Sequence, residues 1–240
     1  TFLVKDGNPI NWKNQYQKLS QDLKAIDIKP PNKKTLLTEI QKLFPAKGIF
    51  ISKIIVTRGE SMTGYDFNEG IKPTRILLKI DFNINKSEIF KKGVRLTASN
   101  IRASKSSNSG IKDLNRLENV LARKSISRNF FDAIMVDSNG NICDCARSSL
   151  FIRYGSTLYT ANNKSFGIHG VTKKIICENV KKLNLTIDYS PLTLNQLEKA
   201  DEVIVSNSIF GALQVVRFKN TKWEKGTLAN SITNLLNESD

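Results

Sequence analysis

The chain has 240 residues, a formal net charge of +15 and a pI near 9.7, with 40% hydrophobic and 25% charged residues. This composition is ordinary for a globular protein with a sizeable core, and no apolar run approaches the ~20 residues that span a bilayer. The lysines are spread along the chain without a basic block interleaved with aromatic residues. We therefore expect no membrane or nucleic-acid partner, and a field that favours anionic small molecules.

The cysteines and the single histidine argue against several kinds of catalytic site. Cys143, Cys145 and Cys177 are typical of a reducing cytosol rather than of a disulfide framework. They lack the spacing of a zinc pair, and a Ser/His/Asp triad would depend on His169 without a nucleophile-elbow sequence. We expect a cytoplasmic protein with neither a metal site nor such a triad.

The first part of the chain predicts a small domain over residues 1–81. Helical spacing of apolar residues and runs of β-branched residues indicate helices at 12–26 and 35–44 and strands at 48–57 and 74–82. The polar stretch 82–92 predicts an interdomain linker.

Residues 93–240 predict a larger domain of mixed α+β or α/β character. An Asn-Gly hairpin turn is expected at 137–140. The predicted strands are 93–98, 131–137, 149–153, 157–160, 185–189, 202–206 and 212–218. The predicted helices are 171–182 and 226–237, with a short helix near 193–199. The glycine fingerprint of a dinucleotide site is absent from the sequence.

The segment around Lys112 is the most informative in the sequence. We predict a short helix whose buried stripe, at helical spacing, consists of Leu114, Leu117, Val120 and Leu121. Asp113 is placed to cap this helix, which sets Lys112 at the positive end of the helix dipole, where the neutral amine is favoured. A neutral lysine amine is what Schiff-base chemistry requires. The alternative from local features alone is a solvated surface lysine.

An aldehyde cofactor such as pyridoxal phosphate would make two further demands, an acid for the pyridine nitrogen and donors for the phosphate. Asp144 lies on the returning strand of the hairpin, and residues 167–173 form a glycine-punctuated helix entrance that contains Thr172. Residues 206–208 offer further donors at a strand end. Each of these features alone has an ordinary structural alternative.

Residues 110–121 read Gly-Ile-Lys-Asp-Leu-Asn-Arg-Leu-Glu-Asn-Val-Leu. This run resembles the lysine segment of the fold-type IV pyridoxal phosphate enzymes, most closely that of the 4-amino-4-deoxychorismate lyases, which usually have histidine in place of Asp113. Further segments occur in the family's order: 56–59, 64–65, 73–77, 200–203 and 206–208. The resemblance implies a homodimer and a two-domain fold-type IV architecture, with a small α/β domain and a larger pseudo-barrel α/β domain. It also implies that the small domain's first strand is absent from this sequence.

The resemblance also implies roles for individual residues. Lys112 would carry pyridoxal phosphate as a Schiff base, and Asp144 would hold the pyridine nitrogen in place of the usual glutamate. The phosphate would be bound by Lys18, Val171, Thr172, Asn207 and Ser208, with Lys173 in place of the usual arginine. Arg58 and Arg75 are candidates for anionic substrate groups or for structural roles in the small domain.

Several of these positions depart from the family's pattern. Aspartate is shorter than glutamate, and lysine cannot bind phosphate bidentately as arginine does. The departures are Lys18, Thr63, Asp113, Asp144, Ser149 and Lys173.

The activity implied by the resemblance is conversion of 4-amino-4-deoxychorismate to 4-aminobenzoate and pyruvate, a step toward folate. One alternative is an aminotransferase of the same fold that acts on D-amino or branched-chain amino acids. A second alternative is a degenerate family member or basic binding protein that has no cofactor.

Overall fold

The computed structural model describes residues 1–61, 64–68, 70–83 and 86–238. These residues divide into two compact units on either side of residues 84–85. The first unit contains a sheet of four strands and the second a sheet of nine. Within the described ranges, no helix combines the length and the apolar character that a membrane crossing requires.

The first unit has an antiparallel sheet in the order β2-β1-β3-β4 and two helices. Its elements are β1 Phe2–Lys5, β2 Asn8–Pro9, α1 Trp12–Ala25, α2 Lys33–Leu43, β3 Ile49–Thr57 and β4 Thr74–Asp81. The core consists of buried side chains from β1 and α2 together with Phe44. Asn32 caps α2, because its side-chain oxygen accepts from the backbone N–H groups of Lys34 and Thr35. The two helices and the two strands predicted for this unit are confirmed.

The hairpin of β1 and β2 was not predicted from the sequence. Phe2 and Val4 are buried on one face of β1 and Lys5 is exposed, but four residues are too short for a clear alternation. Asp6 and Gly7 form the turn with φ values of 50° and 77°, the left-handed conformation that tight hairpins require.

The second unit has a mixed sheet in the order β10-β9-β8-β11-β12-β5-β6-β7, with β13 paired to β12. Its strands are β5 Val94–Ala98, β6 Asp132–Val136, β7 Ile142–Cys145, β8 Ser149–Tyr154, β9 Thr157–Tyr159, β10 Thr186–Asp188, β11 Glu202–Asn207, β12 Gly211–Phe218 and β13 Thr221–Lys222. Its helices are α3 Lys86–Lys92, α4 Leu117–Lys124, α5 Val171–Asn179, α6 Leu194–Leu197 and α7 Leu228–Glu238, with a 3₁₀ turn at Val180–Leu183.

The two faces of this sheet bury different clusters, because successive side chains of a strand point to opposite sides. On β11, Val203 and Val205 join the cluster that includes Trp223. Ile204 lies on the other face, in the cluster that includes Ile176 of α5 and Ile232 of α7. The face of β11 that carries Ile204 is therefore the one that α5 covers.

The linker predicted over 82–92 is wrong for residues 86–92, which form α3. Ile89 and Phe90 pack against the core of the second unit, and these two apolar anchors are hidden in an otherwise polar stretch. Residues 84 and 85 lie outside the described residues. The domain limits 1–81 and 93–240 remain predictions.

The helix predicted after Lys112 begins later than expected, and its stripe is not buried in the single chain. Arg116 is the N-cap residue, so Lys112 lies five residues before the first helical residue of α4. The helix dipole acts within the first turn, so it cannot be what activates Lys112. Leu114, Leu117 and Val120 are 67%, 65% and 60% exposed, and Leu121 is exposed as well. Asp113 pairs with Arg116 instead of capping the helix.

Candidate active site

Lys112 lies in an irregular segment that is tied to the α5 entry loop, residues 160–170. The backbone N–H of Gly110 donates to the carbonyl of Gly167 at 3.0 Å, and the N–H of His169 donates to the carbonyl of Gly110 at 2.9 Å. Gly110 and Ile168 thereby form an isolated parallel bridge. Lys112 itself is exposed in the single chain. Strand-like contacts therefore set the direction of the chain just before Lys112.

A second constraint comes from Arg116, which holds both neighbours of Lys112. Its guanidinium donates to the carbonyl of Ile111, and its Nε lies 3.3 Å from Oδ1 of Asp113. These contacts hold the residue before the lysine by its backbone carbonyl and the residue after it by its side chain. Asp113, which stands where the family usually has histidine, therefore forms an ion pair with Arg116 in this chain.

Gly110 is required for steric reasons. Its φ is +85°, and an added Cβ would lie 2.1 Å from Cδ2 of the His169 ring. The imidazole therefore occupies the space that a side chain at position 110 would need. We infer that the only histidine of the sequence packs against the lysine segment, residues 110–121.

Asp144 is buried on β7 and its carboxylate is held by several donors. Oδ1 accepts from the backbone N–H of Leu150 at 2.8 Å. Oδ2 accepts from Oγ of Ser149 and from Nδ2 of Asn163, each at 3.4 Å. Burial raises the pKa of Asp144 above its usual value, and the positive charge of Lys173 acts in the opposite direction.

Asn163 connects Asp144 to Ser109, the residue just before the lysine segment, and sequence reasoning missed it. It is 2% exposed and has a φ of 55°. Its backbone carbonyl accepts from Oγ of Ser109 at 2.8 Å, while its side-chain oxygen accepts from Nζ of Lys173 at 2.5 Å. The available signal was an asparagine in a polar loop, since asparagine adopts the left-handed conformation more readily than most residues.

The start of α5 offers donors for an anion. Gly170 is the N-cap, and the first N–H groups of a helix have no partner within the helix. Oγ1 of Thr172 and Oγ of Ser208 lie 3.2 Å apart. Ser206 is on the face of β11 that α5 covers, and its Oγ is buried without a hydrogen-bond partner among the described residues. Backbone groups and hydroxyls thus converge near Val171.

Asn207 and Lys173, both predicted near the phosphate, have local partners. Oδ1 of Asn207 accepts from the backbone N–H groups of Ile209 and Phe210, so this side chain shapes the turn after β11. Nζ of Lys173 donates to the carbonyl of Ala161 as well as to Asn163. Lys173 is therefore directed toward the α5 entry loop.

Two predicted site residues of the first unit are in ion pairs within that unit. Lys18 pairs with Asp22, one turn further along α1. Arg75 of β4 makes a two-pronged contact with Glu39 of α2, in which Nε donates at 2.9 Å.

Arg58 has a local role at the end of α1. Its guanidinium donates to the carbonyls of Ile26 and Asp27 and lies over the ring of Phe67. Cations near a helix C-terminus satisfy its last carbonyl groups. Thr63, in the same stretch of sequence, lies outside the described residues.

A pocket of about 350 Å³ opens beside Asp144 in the second unit. Its lining includes Ser109, Asp113, Arg116, Cys143, Asp144, Cys145 and Gly167. Burial raises the pKa of Cys143 to about 12 and raises that of Cys145 as well, so neither thiol supplies a thiolate at neutral pH. Among the described residues, no three His, Cys, Asp or Glu side chains cluster as metal ligands.

A family model described as amino-transferase class IV matches residues 1–218. The chain belongs to this family. A solved 4-amino-4-deoxychorismate lyase from Pseudomonas aeruginosa has a TM-score of 0.89 and 27% identity to the chain, covering 99% of the chain and 88% of that structure. The fold-type IV architecture predicted from the sequence is thereby confirmed.

The relatives do not all have the same activity. An aminodeoxychorismate lyase from Vibrio harveyi is 24% identical over 217 residues, which are 90% of this chain and 80% of that protein. A D-alanine aminotransferase from Listeria monocytogenes is 27% identical over 125 residues, which are 52% of this chain and 42% of that protein. The relatives thus include both lyases and aminotransferases.

Enzymes of this family depend on pyridoxal phosphate, and the described residues suit that group. Asp144 is a buried acceptor for a pyridine N–H. The α5 start supplies backbone N–H groups and hydroxyls for a phosphate, including the unpartnered Oγ of Ser206. The lysine segment is bonded to the same entry loop that contacts Asp144 and leads into α5.

Proposed function

We propose that this protein is a pyridoxal phosphate-dependent lyase that converts 4-amino-4-deoxychorismate to 4-aminobenzoate and pyruvate in folate synthesis. The observation that carries the proposal is the lysine segment, which matches the lyase pattern at all positions but Asp113 and is bonded to the loop that contacts Asp144. The similarity to lyases over nine-tenths of the chain supports it. A cytoplasmic homodimer is part of the proposal.

Lys112 has three tasks in the proposed reaction. Its amine would hold the cofactor covalently, and the same amine would act as the base that takes the proton from the amine-bearing carbon of the substrate. When bound, pyridoxal phosphate supplies an electron sink for that step. Lys112 is also the acid that returns a proton to the leaving enolpyruvate. The contacts of Gly110 and Arg116 orient the backbone that leads into this lysine.

Asp144 and the α5 start hold the two ends of the cofactor in this proposal. The carboxylate of Asp144 accepts the N–H of the pyridine ring and keeps that nitrogen protonated, which a buried acceptor does more strongly than an exposed one. The backbone N–H groups of Val171 and Thr172, with the hydroxyl of Ser208, bind the phosphate. Lys18, Asn207, Arg58 and Arg75 remain predictions, because each is bonded to a local partner described above.

The second candidate is an aminotransferase of the same fold, which the D-alanine aminotransferase relative favours. Both candidates require Lys112, Asp144 and the cofactor. They differ in what happens after the proton is removed. The lyase expels enolpyruvate, whereas the aminotransferase passes the amine to a keto acid.

The experiment has two parts. The purified protein is supplied with pyridoxal phosphate and reduced with borohydride, and the modified peptide is mapped. We expect the label on Lys112. Lys124→Met, which changes the last residue of α4, is the control variant that should keep this label. A label elsewhere, or none, excludes both candidates and leaves the degenerate family member. Pyruvate release from aminodeoxychorismate, compared with amine transfer to keto acids, then separates lyase from aminotransferase.

A further inference from the structure

We propose that Lys173 and Asn163 form a buried relay that positions Asp144 and holds it as a carboxylate facing the pyridine nitrogen. The inference rests on the proposed cofactor role of Asp144. It assigns Lys173, which replaces an arginine expected beside the phosphate, to the opposite end of the cofactor. Asn163 and Lys173 are positioning residues, because they act through Asp144.

The hydrogen bonds run in one direction from the ammonium to the carboxylate. Nζ of Lys173 donates to Oδ1 of Asn163 at 2.5 Å and to the carbonyl of Ala161 at 2.5 Å. Nδ2 of Asn163 donates to Oδ2 of Asp144 at 3.4 Å and to the carbonyl of Phe166 at 3.1 Å. The amide thus uses its acceptor on the lysine side and its donors on the aspartate side, which fixes its orientation.

Burial makes the relay necessary. Lys173, Asn163 and Asp144 are 6%, 2% and 8% exposed. An isolated charge at such a depth is costly, and groups of this kind are retained when they are paired and hydrogen-bonded. Lys173 and Asp144 supply opposite charges on the two sides of one amide.

The other titratable groups around the relay do not replace Lys173. Asp132, Cys143 and Cys145 lie around Asp144, and an ionised Asp132 opposes a charge on Asp144. Cys177 is the group that interacts with Lys173 from within α5, and burial raises the pKa of its thiol. Among the charged groups found to act on Asp144, Lys173 is the one that stabilises its carboxylate.

The backbone of the entry loop is adapted to this arrangement. An added Cβ at Gly167 would lie 2.3 Å from Nδ2 of Asn163 and 3.5 Å from Oδ2 of Asp144. Gly167 has a φ of +76° and therefore leaves room for the amide at its closest approach to the carboxylate. The same loop bonds to Gly110.

A double-mutant cycle on the cofactor-free protein tests the coupling between Lys173 and Asp144. Unfolding is measured for the wild type, Lys173→Met, Asp144→Asn and the double variant in phosphate-free buffer near neutral pH. Each single variant leaves one buried charge without its partner, so the double variant should be more stable than the sum of the two effects predicts. We expect coupling of about tenfold in the unfolding equilibrium constant. Additive effects would overturn the relay.

A second cycle keeps the test decisive where Lys173→Met does not fold. Asn163→Gly removes the amide and retains the left-handed backbone, because glycine adopts a φ near 55° without strain. The relay predicts that this variant is also coupled to Asp144→Asn. If the effects of Asn163→Gly and Asp144→Asn on the unfolding free energy are additive, the relay is contradicted in the same way.

Inorganic phosphate distinguishes the relay from a phosphate ligand. Increasing phosphate should stabilise the wild type and Lys173→Met by the same shift in melting temperature. Lys174→Met is the matched control, since Lys174 is the next residue on α5 and its side chain is 43% exposed. Loss of the shift in Lys173→Met alone would make Lys173 a phosphate ligand and overturn the proposal. If phosphate does not stabilise the wild type, the two double-mutant cycles alone decide whether the relay exists.

The cofactor-loaded protein supplies a readout that a purely structural role would not change. The visible absorption of the bound cofactor is followed as the pH is changed. We expect Lys173→Met to shift the pH midpoint of this absorption change by about one unit, and Lys174→Met to leave the midpoint unchanged. An unchanged midpoint in Lys173→Met contradicts the positioning role. A wild type that takes up no cofactor would instead refute the proposed function, while the cycles on the cofactor-free protein still report on the relay.

Discussion

The lysine segment and the network around Asp144 differ in how sequence and structure correspond. The lysine segment matches the family's pattern almost completely, yet its leucines are exposed and its helix starts only at Leu117. Asp144, Ser149 and Lys173 depart from the pattern, yet all three are buried and hydrogen-bonded. Similarity of sequence therefore does not indicate which region is better packed within this chain.

This difference separates two ways of holding a functional group. Backbone hydrogen bonds and Arg116 hold the segment that contains Lys112, so its position depends on chain direction more than on burial. Side-chain donors in a buried environment hold Asp144. In the lysine segment, the substitutions that lower the unfolding free energy most should be those that alter the backbone. Around Asp144, they should be those that alter charge.

The largest effect should come from Gly110→Ala. The added Cβ would meet the His169 ring at 2.1 Å, and alanine would be strained at a φ of +85°. Backbone strain of ~1–2 kcal/mol together with overpacking of ~1–3 kcal/mol gives an expected loss of about 3 kcal/mol in unfolding free energy, measured by urea titration.

Gly140→Ala is the matched control, because Gly140 has a φ of +83° in the hairpin turn. An added Cβ there would meet no described atom within 4 Å. It should cost only the ~1–2 kcal/mol of backbone strain. Equal losses in the two variants would show that the His169 contact does not constrain the lysine segment.

A smaller effect is expected from Arg116→Met, which keeps the aliphatic stem and removes the guanidinium. It loses the hydrogen bond to the Ile111 carbonyl and the ion pair with Asp113. Hydrogen bonds that involve a charged group contribute about 1.5–3 kcal/mol, so we expect a loss of about 2 kcal/mol. Arg128→Met, at an exposed position after α4, should change the unfolding free energy by less than about 0.5 kcal/mol. A similar loss in both variants argues against the contact with Ile111.

Local sequence signals were sufficient for much of the fold. The helices α1 and α2 follow from apolar spacing and the Asn32 cap, and the hairpin of β6 and β7 follows from its Asn-Gly turn. The prediction of a buried stripe along the lysine segment was wrong for the single chain, where these side chains are exposed. Periodicity shows that residues share a face, but it does not show what covers that face. The polar composition of α3 predicted a linker, but the segment forms a helix whose two apolar side chains pack against the core.

The site was predictable where chemistry dictates the residue type. Lys112 and Asp144 are the kinds of group that Schiff-base formation and a pyridine nitrogen require. Asn163 was not predictable, because its role depends on a left-handed backbone and on contacts with Lys173 and Asp144 that are distant in sequence. The direction of Lys173 depends on the same tertiary contacts.

The pH dependence of stability tests the environment of Asp144. Burial raises its pKa in the folded state, so the folded protein retains this proton to a higher pH than the unfolded chain does. The resulting stability is fully present below about pH 4 and is lost as the pH rises through the folded-state pKa. The unfolding free energy of the wild type relative to Asp144→Asn should therefore fall over that range, by about 1.4 kcal/mol for each unit of raised pKa.

Asp188 provides a control of opposite sign. Its pKa is lowered by hydrogen bonds from the backbone and the side chain of Ser190. Its stabilising contribution is therefore present above the unfolded-state pKa and is lost as the pH falls through the folded-state pKa. Urea titrations from acid to neutral pH should show opposite slopes for Asp144→Asn and Asp188→Asn relative to the wild type. Slopes of the same sign would contradict the buried placement of Asp144.

The smallest effect should come from Leu117→Gln in the exposed stripe. A side chain that is 65% exposed in the single chain contributes little to folding, so we expect a loss below about 0.5 kcal/mol at low protein concentration. Leu197→Gln, at a fully buried position of α6, should cost several times more and is the matched comparison. Unfolding is measured over a range of protein concentrations, because binding of a second copy stabilises the folded state by mass action. A loss that grows with concentration means that a second copy covers the stripe, as the proposed homodimer would allow. A large loss at every concentration contradicts the exposed placement of Leu117, and with it the contrast between the lysine segment and the network around Asp144.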